Sequence, residues 1–479
     1  MLQELVRLFE FWSGEKLSSS QELTQAGSNR RYFRLRSESK AVVGCYGKNL
    51  QENHAFIALS QHFEKQKLST PQVLASSECG QYYLQQDFGD TSLFHLIAAG
   101  RESGVFSEEE KRALRKTISV LPQLQFEGDK GLDYSACYPQ AEWGKSSIMW
   151  DLSYFKYYFL RPTFEDFNEE KLERDFTKLR EILLNDKNSC FMYRDFQSRN
   201  VMWHEGEPHF IDFQGGRKGV PAYDVASFLY QAKANFSDEL REELLQVYLE
   251  NAAKYTEINA AEFRKSLPIY ALLRSLQTLG AYGYRGYFER KAHFLQSVPF
   301  ALANLKKMLD KGVLIDLQLT YLNQLLYRLI DLKQEQAIAS KAKLHVDVVS
   351  FSYRVGLPED ASGNGGGFVF DCRCIHNPGR EEQYRFFTGL DAPVSEYLDG
   401  NAQMQEFLQH AYALADTAVE RYLARGFSHL QVSFGCTGGQ HRSVYSAQHM
   451  AEHLHQKFAE LEVRITHREQ GLKFQISNS

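Results

Sequence analysis

The sequence predicts a mixed α and β protein with more than one domain, and three patterns support this expectation. Two apolar runs typical of strands, FMYRDF and PHFIDFQ, lie within residues 190–229. Residues 237–332 are almost entirely helical in pattern. After residue 344, strand and helix patterns alternate, which predicts a small sheet of largely parallel strands. A chain of 479 residues is expected to hold two or three domains.

The composition is that of a globular protein with sizeable cores. Charged residues make up 24% and hydrophobic residues 43%, and the net charge is −5, so bulk charge does not recruit nucleic acid or acidic membranes. No apolar run approaches the length of a membrane span, and the N-terminus lacks a signal-peptide pattern. Seven scattered cysteines suit a reducing compartment. We therefore expect a cytoplasmic protein with no membrane partner.

Three polar residues in and after the two strand-like runs have a spacing that suits phosphoryl transfer. Asp195 lies in the first run, Asn200 follows five residues later, and Asp212 lies twelve residues after that. In chains that transfer the γ-phosphate of ATP, one aspartate accepts the proton of the acceptor hydroxyl, while an asparagine and a second aspartate hold Mg²⁺. We predict Asp195 as the base and Asn200 and Asp212 as Mg²⁺ ligands. The alternative is an ordinary hairpin with polar residues at its turn.

The stretch from Cys190 to Leu229 resembles the aminoglycoside phosphotransferase and choline kinase branch of the kinase-like fold. The family's usual histidine two residues before the aspartate is Tyr193 here, and the middle residue is Arg194. The resemblance implies an α/β (α+β) chain with a two-lobed kinase-like phosphotransferase fold, and ATP and Mg²⁺ as cofactors. The predicted parts are a small lobe at 1–90, a helical catalytic lobe at 91–310, a connecting helix or linker at 311–343 and an α/β domain at 344–479.

A polar loop precedes the first of two predicted strands in the small lobe. Gly27, Ser28 and Asn29 form this loop, and Arg30 and Arg31 follow it. Backbone N–H groups and arginines suit nucleotide phosphates, although a simple hairpin turn explains the loop equally well. The motif SNRRYFRL resembles bacterial sugar kinases of the AmgK type. That resemblance implies phosphorylation of N-acetylmuramate or N-acetylglucosamine at the anomeric hydroxyl, in cell-wall recycling.

The next predicted strand, AVVGCY, lacks the lysine that kinases place there to bind the α- and β-phosphates. Either Lys48, just after the strand, or an arginine of the RRYFR run is expected to take that role. The run QQDFGD, with Gln86 and Asp87, resembles the hinge strand that binds adenine in this fold. These residues complete the predicted nucleotide site.

An aromatic-rich segment, YPQAEWGKSSIMWDLSYFKYYFLRPTF, precedes the catalytic stretch. Aromatic faces stack on sugar rings and carboxylates bind hydroxyls, but packing of the large lobe explains most of these rings. In the resembling sugar kinases this region lines the acceptor pocket. Glu142, Asp151 and Arg194 are therefore the predicted residues for an amino-sugar substrate.

The C-terminal part centres on a glycine-rich loop between a strand and a helix, GCTGGQHRS. Glycines let several N–H groups point inward, the helix N-terminus adds positive potential, and an arginine can fork onto a phosphate. This pattern predicts an anion or phosphosugar site. Its predicted residues are Cys436, Thr437, Gly438, Gly439, Gln440, His441, Arg442 and Ser443, together with Arg373.

The same loop leaves a phosphatase reading open. Cys436 and Arg442 have the C-x5-R spacing of cysteine phosphatases, in which a thiolate is the nucleophile. Gly435 stands where those enzymes carry histidine, and only Asp371 and Asp391 are candidates for a general acid.

The motifs VSFSYRVGLP, FVFDCRCIHNP, RFFTGLD and GCTGGQHRSV resemble the C-terminal domain of the RapZ family of RNase adapter proteins. That resemblance implies a domain that binds small RNAs and an amino-sugar phosphate, with self-association through it. An RNA site here would be a local patch using Arg373, Arg380, Arg442 and Arg468. The RapZ family's own N-terminal half is a P-loop domain, whereas this chain has no GxxxxGK[ST] motif.

The leading hypothesis is a Mg·ATP-dependent amino-sugar kinase with a fused phosphosugar-sensing domain. Two alternatives stay open. One is a regulator that binds nucleotide and phosphosugar and recruits RNA, and the absent strand lysine supports it. The other is a phosphatase that uses Cys436.

Overall fold

The described part of the chain begins with a small lobe of five strands and two helices. In chain order its elements are α1 (Leu2–Ser13), β1 (Ser19–Leu23), β2 (Arg31–Arg36), β3 (Ala41–Tyr46), α2 (Leu50–Lys65), β4 (Val73–Ser76) and β5 (Tyr82–Gln86). All neighbours pair antiparallel, in the order β1-β2-β3-β5-β4. The structure is a computed structural model that describes residues 1–23, 30–163, 166–340, 344–360, 367–425 and 427–476.

Strand alternation gives this sheet two different faces. Leu35, Val42 and Leu84 are buried against Leu5 and Phe9 of α1, which covers one face. Because successive side chains of a strand point to opposite sides, the polar residues between them lie on the other face. That second face is the one that turns toward the cleft described below.

A helical lobe follows the small lobe. Asn49 caps α2, and a Ser107–Glu110 capping box begins the first long helix of the helical lobe. Its helices are α3 (Leu93–Leu96), α4 (Ala98–Ser103), α5 (Glu108–Pro122), α6 (Lys145–Phe155), α7 (Arg161–Thr163), α8 (Glu169–Leu184), α9 (Pro221–Leu229), α10 (Asp238–Ala252), α11 (Ala260–Gly283), α12 (Ala292–Leu295), α13 (Val298–Asp310), α14 (Val313–Asp316) and α15 (Thr320–Ser340).

Two short hairpin-like sheets lie between α8 and α9 and carry the loops of interest. Strand β6 (Cys190–Met192) pairs antiparallel with β9 (Arg217–Gly219). Strands β7 (Val201–His204) and β8 (Glu207–Phe210) form the other pair. The FMYRDF and PHFIDFQ runs are therefore strands only at their starts, in β6 and β8, and the rest of each run is a loop.

Helices α6 and α11 approach each other closely. A π-helical turn, Lys156–Leu160, continues α6, and a Cβ atom added at Gly283 of α11 would lie 2.1 Å from the carbonyl oxygen of Tyr158 in that turn. A Cβ at Gly280 would lie 2.8 Å from the backbone nitrogen of Phe155. The two backbones therefore touch where α11 has no side chain.

The chain divides into two compact units, Met1–Ile330 and Asp331–Ser479. The division falls within α15 and inside the predicted connecting segment 311–343. The elements of the second unit beyond α15 are β10 (His345–Ser352), β11 (Gly367–Asp371), α16 (Ala392–Asp399), α17 (Ala402–Arg425), β12 (His429–Cys436), α18 (Arg442–Lys457), β13 (Glu462–His467) and β14 (Leu472–Gln475).

The sheet of the second unit has the order β11-β12-β10-β13-β14. The first four strands pair parallel and β14 pairs antiparallel with β13, which confirms the predicted, largely parallel sheet. Its core joins buried residues of the strands, such as Val348 and Val432, to Ala447 and Met450 of α18. Across the described ranges, no helix combines the length and the apolar character that crossing a bilayer requires.

Candidate functional site

A cleft of about 650 Å³ in the first unit brings together residues from both of its lobes. The polar face of the small sheet and the segment from Gln85 to Asp90 form one wall. The loops after β6 and β8 form the other, with Asp195, Asn200 and Asp212. A second cavity, of about 710 Å³ beside Asn185 and Tyr270, contains none of the predicted site residues.

The loop that carries Asp195 is held by a buried carboxylate that the sequence analysis did not assign. Asp224 of α9 is fully buried and accepts hydrogen bonds from the backbone N–H groups of Tyr193 and Arg194, both at 2.8 Å. Gln125 donates a third bond to it at 3.0 Å. Arg194 has a φ of 77°, so this loop turns sharply through a left-handed residue just before Asp195. The only sequence signal was a lone aspartate inside the apolar run YDVASFL.

Asp195 faces the cleft with 46% of its side chain exposed, and an arginine holds one of its carboxylate oxygens. Arg274 of α11 donates from Nη2 to Oδ1 at 2.7 Å. Burial raises the pKa of Asp195, but the charges of Arg274 and Arg194 outweigh it, so the pKa lies below its usual value. Asp195 is therefore ionised at neutral pH, as a proton acceptor must be.

Asn200 and Asp212 lie beside Asp195 at the same wall of the cleft. The Asn200 side-chain nitrogen donates to the backbone carbonyl of Asp195 at 2.9 Å, so the predicted metal-binding atom is its side-chain carbonyl oxygen. Asp212 has a φ of 68° and accepts a bond from Gln214 at 2.6 Å. Burial raises the pKa of Asp212 to about 6, and the bond from Gln214 opposes that shift only in part.

Tyr193, which replaces the family's histidine, is buried below these loops. Its hydroxyl donates to the backbone carbonyl of Ile211, the residue immediately before Asp212. The tyrosine thus ties the loop of Asp195 to the loop of Asp212. This link is structural, and the change from histidine keeps a polar connection at that place.

The predicted nucleotide-side residues have different surroundings. Gln86 and Asp87 line the cleft, whereas Lys48 is exposed and is not part of its lining. Arg30 is buried beside Glu52, and Arg31 is exposed and paired with Glu22 at 2.7 Å. Gly27, Ser28 and Asn29 lie outside the described residues.

Arg34 is a cleft residue that the sequence analysis missed. Its guanidinium is buried and donates to Asp87 and to Asp90, both at 2.6 Å, and to the Gly89 carbonyl at 2.9 Å. This fork fastens β2 to the segment after β5, which is the predicted hinge. In the sequence, this role was indicated only by its position two residues after Tyr32, which places both side chains on the same face of the strand.

A buried polar cluster lies next to the loop of Asp195. Arg194 donates to Asp151 of α6 at 2.8 Å, and Arg274 stands over the Tyr223 ring at 5.8 Å. The Trp143 and Tyr223 rings lie 5.6 Å apart. Within the described ranges, Oδ2 of Asp151, the Tyr223 hydroxyl and Nε1 of Trp143 are all buried without a hydrogen-bond partner.

Two further residues border this cluster. Glu142 is exposed and forms only a backbone bridge with Lys218, so the structure does not bring it to Asp151. Arg217, which the sequence analysis missed, is buried and donates to the Gly215 carbonyl at 2.9 Å. Burial, together with the charge of Arg194, lowers the pKa of Arg217 to about 10.

In the second unit, the predicted loop connects the end of β12 to the start of α18. The Cys436 sulfur is buried, accepts a bond from the Gly439 N–H at 3.2 Å and lies 3.0 Å from the Ser443 hydroxyl. The side chains of Gln440 and His441 bond to backbone carbonyls of Phe387 and Tyr384. The loop is therefore anchored on both sides, and Thr437 and Gly438 lie within it.

Three of the four arginines predicted to bind ligands in this unit already make hydrogen bonds within it. Arg442 donates from Nη1 to the Ile375 carbonyl at 2.5 Å, and Arg468 donates to the Gly356 carbonyl at 2.8 Å. Arg373 forks onto Asp371, with its shortest bond at 2.6 Å. The other general-acid candidate, Asp391, accepts two bonds from Thr388. Exposed Arg380 completes the predicted patch.

Two family models match this chain. The phosphotransferase enzyme family matches residues 20–259, and the RapZ C-terminal domain matches residues 344–471. The first match covers all the cleft residues described above except those on and after α11.

Curated relatives are proteins named nucleotide-binding protein. One from Alkalilimnicola ehrlichii is 39% identical over 136 residues, which is 28% of this chain and 46% of that protein. One from Xanthomonas axonopodis pv. citri is 38% identical over 184 residues, which is 37% of this chain and 62% of that protein. The chain thus spans about half of the length of the relatives it matches.

Solved structures similar to this chain include two phosphotransferases. A choline kinase from Cryptosporidium parvum Iowa II is 13% identical, with a TM-score of 0.43, and covers 64% of this chain and 93% of its own. The aminoglycoside phosphotransferase APH(2")-IIa, in a gentamicin complex, is 18% identical, with a TM-score of 0.44 over 61% of this chain and 93% of its own.

Proposed function

The chain belongs to the phosphotransferase enzyme family and carries a RapZ C-terminal domain, and on that premise we propose that it is an ATP-dependent sugar kinase. The observation that carries the proposal is the meeting of Asp195, Asn200 and Asp212 at one wall of a cleft. The opposite wall contains the hinge segment from Gln85 to Asp90. Base, metal ligands and hinge are the parts that phosphoryl transfer requires.

In the proposed reaction, the acceptor hydroxyl oxygen attacks the γ-phosphorus of ATP while its proton passes to Asp195. The bond between the γ-phosphorus and the bridging oxygen breaks, and ADP leaves. Arg274 holds Oδ1 of Asp195, so the other oxygen, Oδ2, is the one that takes the proton. The loop anchor at Asp224 keeps the base at a defined place, which is the main contribution that a protein makes to this reaction.

The residues present fit a Mg²⁺ ion. Asn200 and Asp212 would hold it, and it would neutralise the charge on the transferring phosphate. Desolvation raises the pKa of half-buried Asp212 to about 6, and a bound cation would favour its carboxylate form. Mg²⁺ usually binds through one or two carboxylates, water and substrate phosphates.

For the acceptor, we propose the anomeric hydroxyl of an N-acetylated amino sugar such as N-acetylmuramate or N-acetylglucosamine, in cell-wall recycling. The likeness of SNRRYFRL to sugar kinases of that type supports the choice. So does the polar cluster beside the base, where Asp151, Tyr223 and Trp143 offer buried acceptor and donor atoms to sugar hydroxyls. All seven cysteines are free thiols, in keeping with a cytoplasmic location.

The direct test is an ATP-consumption screen across amino sugars, choline and aminoglycosides, with wild type and Asp195→Asn. We expect turnover with N-acetylmuramate or N-acetylglucosamine, a loss of about 10²–10⁴-fold in Asp195→Asn and in Asp212→Asn, and an unchanged circular dichroism spectrum. Activity of either variant within a few-fold of wild type would remove the assigned roles. Turnover only with choline or an aminoglycoside would refute the acceptor.

For the second unit, we propose that the loop from Cys436 to Ser443 binds an amino-sugar phosphate. The glycine-rich loop, whose Gly439 N–H points inward to the Cys436 sulfur, and the start of α18 support an anion site. Calorimetry with an amino-sugar phosphate should show saturable binding that inorganic sulfate competes for weakly. RNA binding and self-association through this domain stay predictions.

A second candidate function rests on the hydrogen bonds at Cys436. The Gly439 N–H donates to the Cys436 sulfur and the Ser443 hydroxyl lies 3.0 Å from it, so the loop orients this sulfur as it would the nucleophile of a cysteine phosphatase. The two readings separate in Cys436→Ser, which preserves the size and the loop. If the loop only binds phosphosugars, Cys436→Ser keeps the phosphosugar affinity of wild type. If it is a phosphatase, wild type hydrolyses an aryl phosphate and Cys436→Ser does not.

A further inference from the structure

The strand that lacks the usual kinase lysine is β3, and its residues show where that lysine would lie. Val43 lines the cleft and pairs with Arg34 of β2 and Gln85 of β5. Two residues later on the same strand face lies Cys45, between Tyr32 and Tyr83 of the neighbouring strands. In kinases a lysine of this strand binds phosphates and pairs with a glutamate of the next helix. The buried, neutral thiol of Cys45 supplies no such charge.

Arg30 brings a positive charge to the same place from the neighbouring strand. It lies just before β2, in alternation with Tyr32 and Arg34, which both line the cleft. Its side chain is only 2% exposed, and its Nη2 atom lies 3.4 Å from the Glu52 carboxylate and 3.0 Å from the Glu52 carbonyl. Glu52 is in the first turn of α2, the helix that follows β3.

The Arg30 guanidinium also lies close to a residue of the cleft. It stands 5.8 Å from the ring of Phe56, a residue of α2 that lines the cleft. Burial raises the pKa of Cys45 to about 11, while a hydrogen bond with Tyr83 and the charge of Arg30 act against that shift. Arg30 thus supplies a positive charge near the position of the absent lysine.

The other candidate cations are committed elsewhere. Arg31 points to the opposite strand face and pairs with exposed Glu22. Arg34 is held by Asp87 and Asp90, which balance its charge. Exposed Lys48 lies in the turn before α2 and is on neither β2 nor β3.

We propose that Arg30, held by Glu52, replaces the strand lysine and binds the phosphates of the nucleotide. The proposal rests on the kinase function proposed above and assigns the phosphate-binding cation of that site. An arginine suits the position because it is longer than lysine and reaches across from β2. Its planar group also donates two parallel bonds to a phosphate and stays charged when buried.

The test compares Arg30→Gln with Arg36→Gln, a matched control at the exposed end of the same strand. Calorimetry with Mg²⁺ and a non-hydrolysable ATP analogue should show an affinity about 10- to 100-fold lower in Arg30→Gln, because one charged bond pair is lost. Adenosine, which has no phosphate, should bind both variants like wild type. Arg36→Gln should leave analogue affinity unchanged.

Two further variants keep the test decisive if Arg30→Gln folds poorly. Arg30→Lys preserves the buried charge and its ion pair, and should lower analogue affinity about tenfold because the fork is lost. Arg30→Gln combined with Cys45→Lys places an ammonium group on β3 and should regain most of the lost affinity. Thermal unfolding of each variant separates folding defects from binding defects.

The outcomes that contradict the proposal are distinct. Wild-type affinity in both Arg30→Gln and Arg30→Lys would overturn it, as would equal loss of adenosine and analogue binding. A loss in Lys48→Gln with none in Arg30→Gln would give the role to Lys48. If wild type binds no ATP analogue at all, the kinase proposal fails together with this one.

Discussion

Asp195 and Arg274 form the ion pair on which the proposed chemistry most directly depends. Arg274 is nearly buried and donates both to Asp195 and to the Ser227 hydroxyl, at 2.7 and 2.8 Å. The arginine therefore fixes the orientation of the carboxylate and leaves one oxygen directed at the cleft. We regard Arg274 as a positioning residue, since it acts through Asp195.

We expect Arg274→Gln to lower kcat about 10- to 100-fold with little change in KM for ATP. A charged hydrogen bond contributes about 1.5–3 kcal/mol, and each 1.36 kcal/mol on the barrier is tenfold in rate. Steady-state kinetics with the sugar and ATP varied in turn measure the split. Added guanidinium should partly restore Arg274→Ala but not Asp195→Asn. An equal rise in both KM values with an unchanged kcat would contradict a positioning role.

The sequence could predict the residues of the cleft that lie close together along the chain. Asp195, Asn200 and Asp212 fall within eighteen residues, and their strands have clear apolar patterns. Arg274 is 79 residues from Asp195. It lies on α11, and the sequence pattern of that helix indicates only that the helix is buried. Arg34 likewise meets Asp87 53 residues away. Such pairs depend on tertiary packing, which spacing along one chain does not reveal.

At the scale of elements, helix α9 anchors the loop of Asp195 through one side chain. Asp224 accepts two backbone N–H bonds from residues about thirty positions earlier. Its fully buried position means that no water can replace it there. The apolar run YDVASFL indicates a buried segment. It does not indicate that Asp224 within it accepts hydrogen bonds from the backbone of the loop before Asp195.

We expect Asp224→Ala to destabilise the protein by about 2–5 kcal/mol, because two buried N–H groups lose their acceptor. Urea unfolding followed by tryptophan fluorescence measures the change. Asp238→Ala is a suitable control, since that aspartate lies at the exposed start of α10. A loss below about 0.5 kcal/mol would show that the loop does not depend on Asp224.

In the second unit, strand β13 ends in a buried histidine that makes stability depend on pH. His467 bonds to Ser350 at 3.0 Å, and burial lowers its pKa to about 4. The unfolded chain, with an ordinary histidine pKa near 6.5, binds more protons between these values. The contribution of neutral His467 is therefore present above pH 6.5 and is lost as pH falls toward 4.

We expect the β10 and β13 region to lose about 3 kcal/mol of stability from this residue between pH 6.5 and 4. Amide hydrogen exchange of these strands at several pH values measures it. In His467→Gln the same strands should show a weaker pH dependence. An identical pH dependence in wild type and variant would mean that other groups control it.

For the whole molecule, the two proposed sites, one for a kinase reaction and one for a phosphosugar, can be tested for coupling. If the ligand of the second unit shifts an equilibrium shared with the first, the two binding affinities must change by the same factor, typically about 1–3 kcal/mol. We expect an amino-sugar phosphate to weaken ATP-analogue binding, as inhibition by a downstream product. Calorimetry of each ligand in the presence and absence of the other measures this. Equal affinities in all four titrations would mean two independent domains on one chain.

The contact between α6 and α11 sets a limit on how the acceptor pocket can evolve. Asp151 lies on α6 and Arg274 lies on α11. At Gly283, the backbone of α11 lies so close to the Tyr158 carbonyl that a Cβ atom would not fit between them. A methyl group there, as in Gly283→Ala, would push α6 and α11 apart, and with them Asp151 and Arg274. We expect such a variant to lose kcat while keeping every residue of the pocket. A broader substrate range must therefore arise from substitutions of pocket residues, because α6 and α11 are packed too closely for the pocket between them to widen.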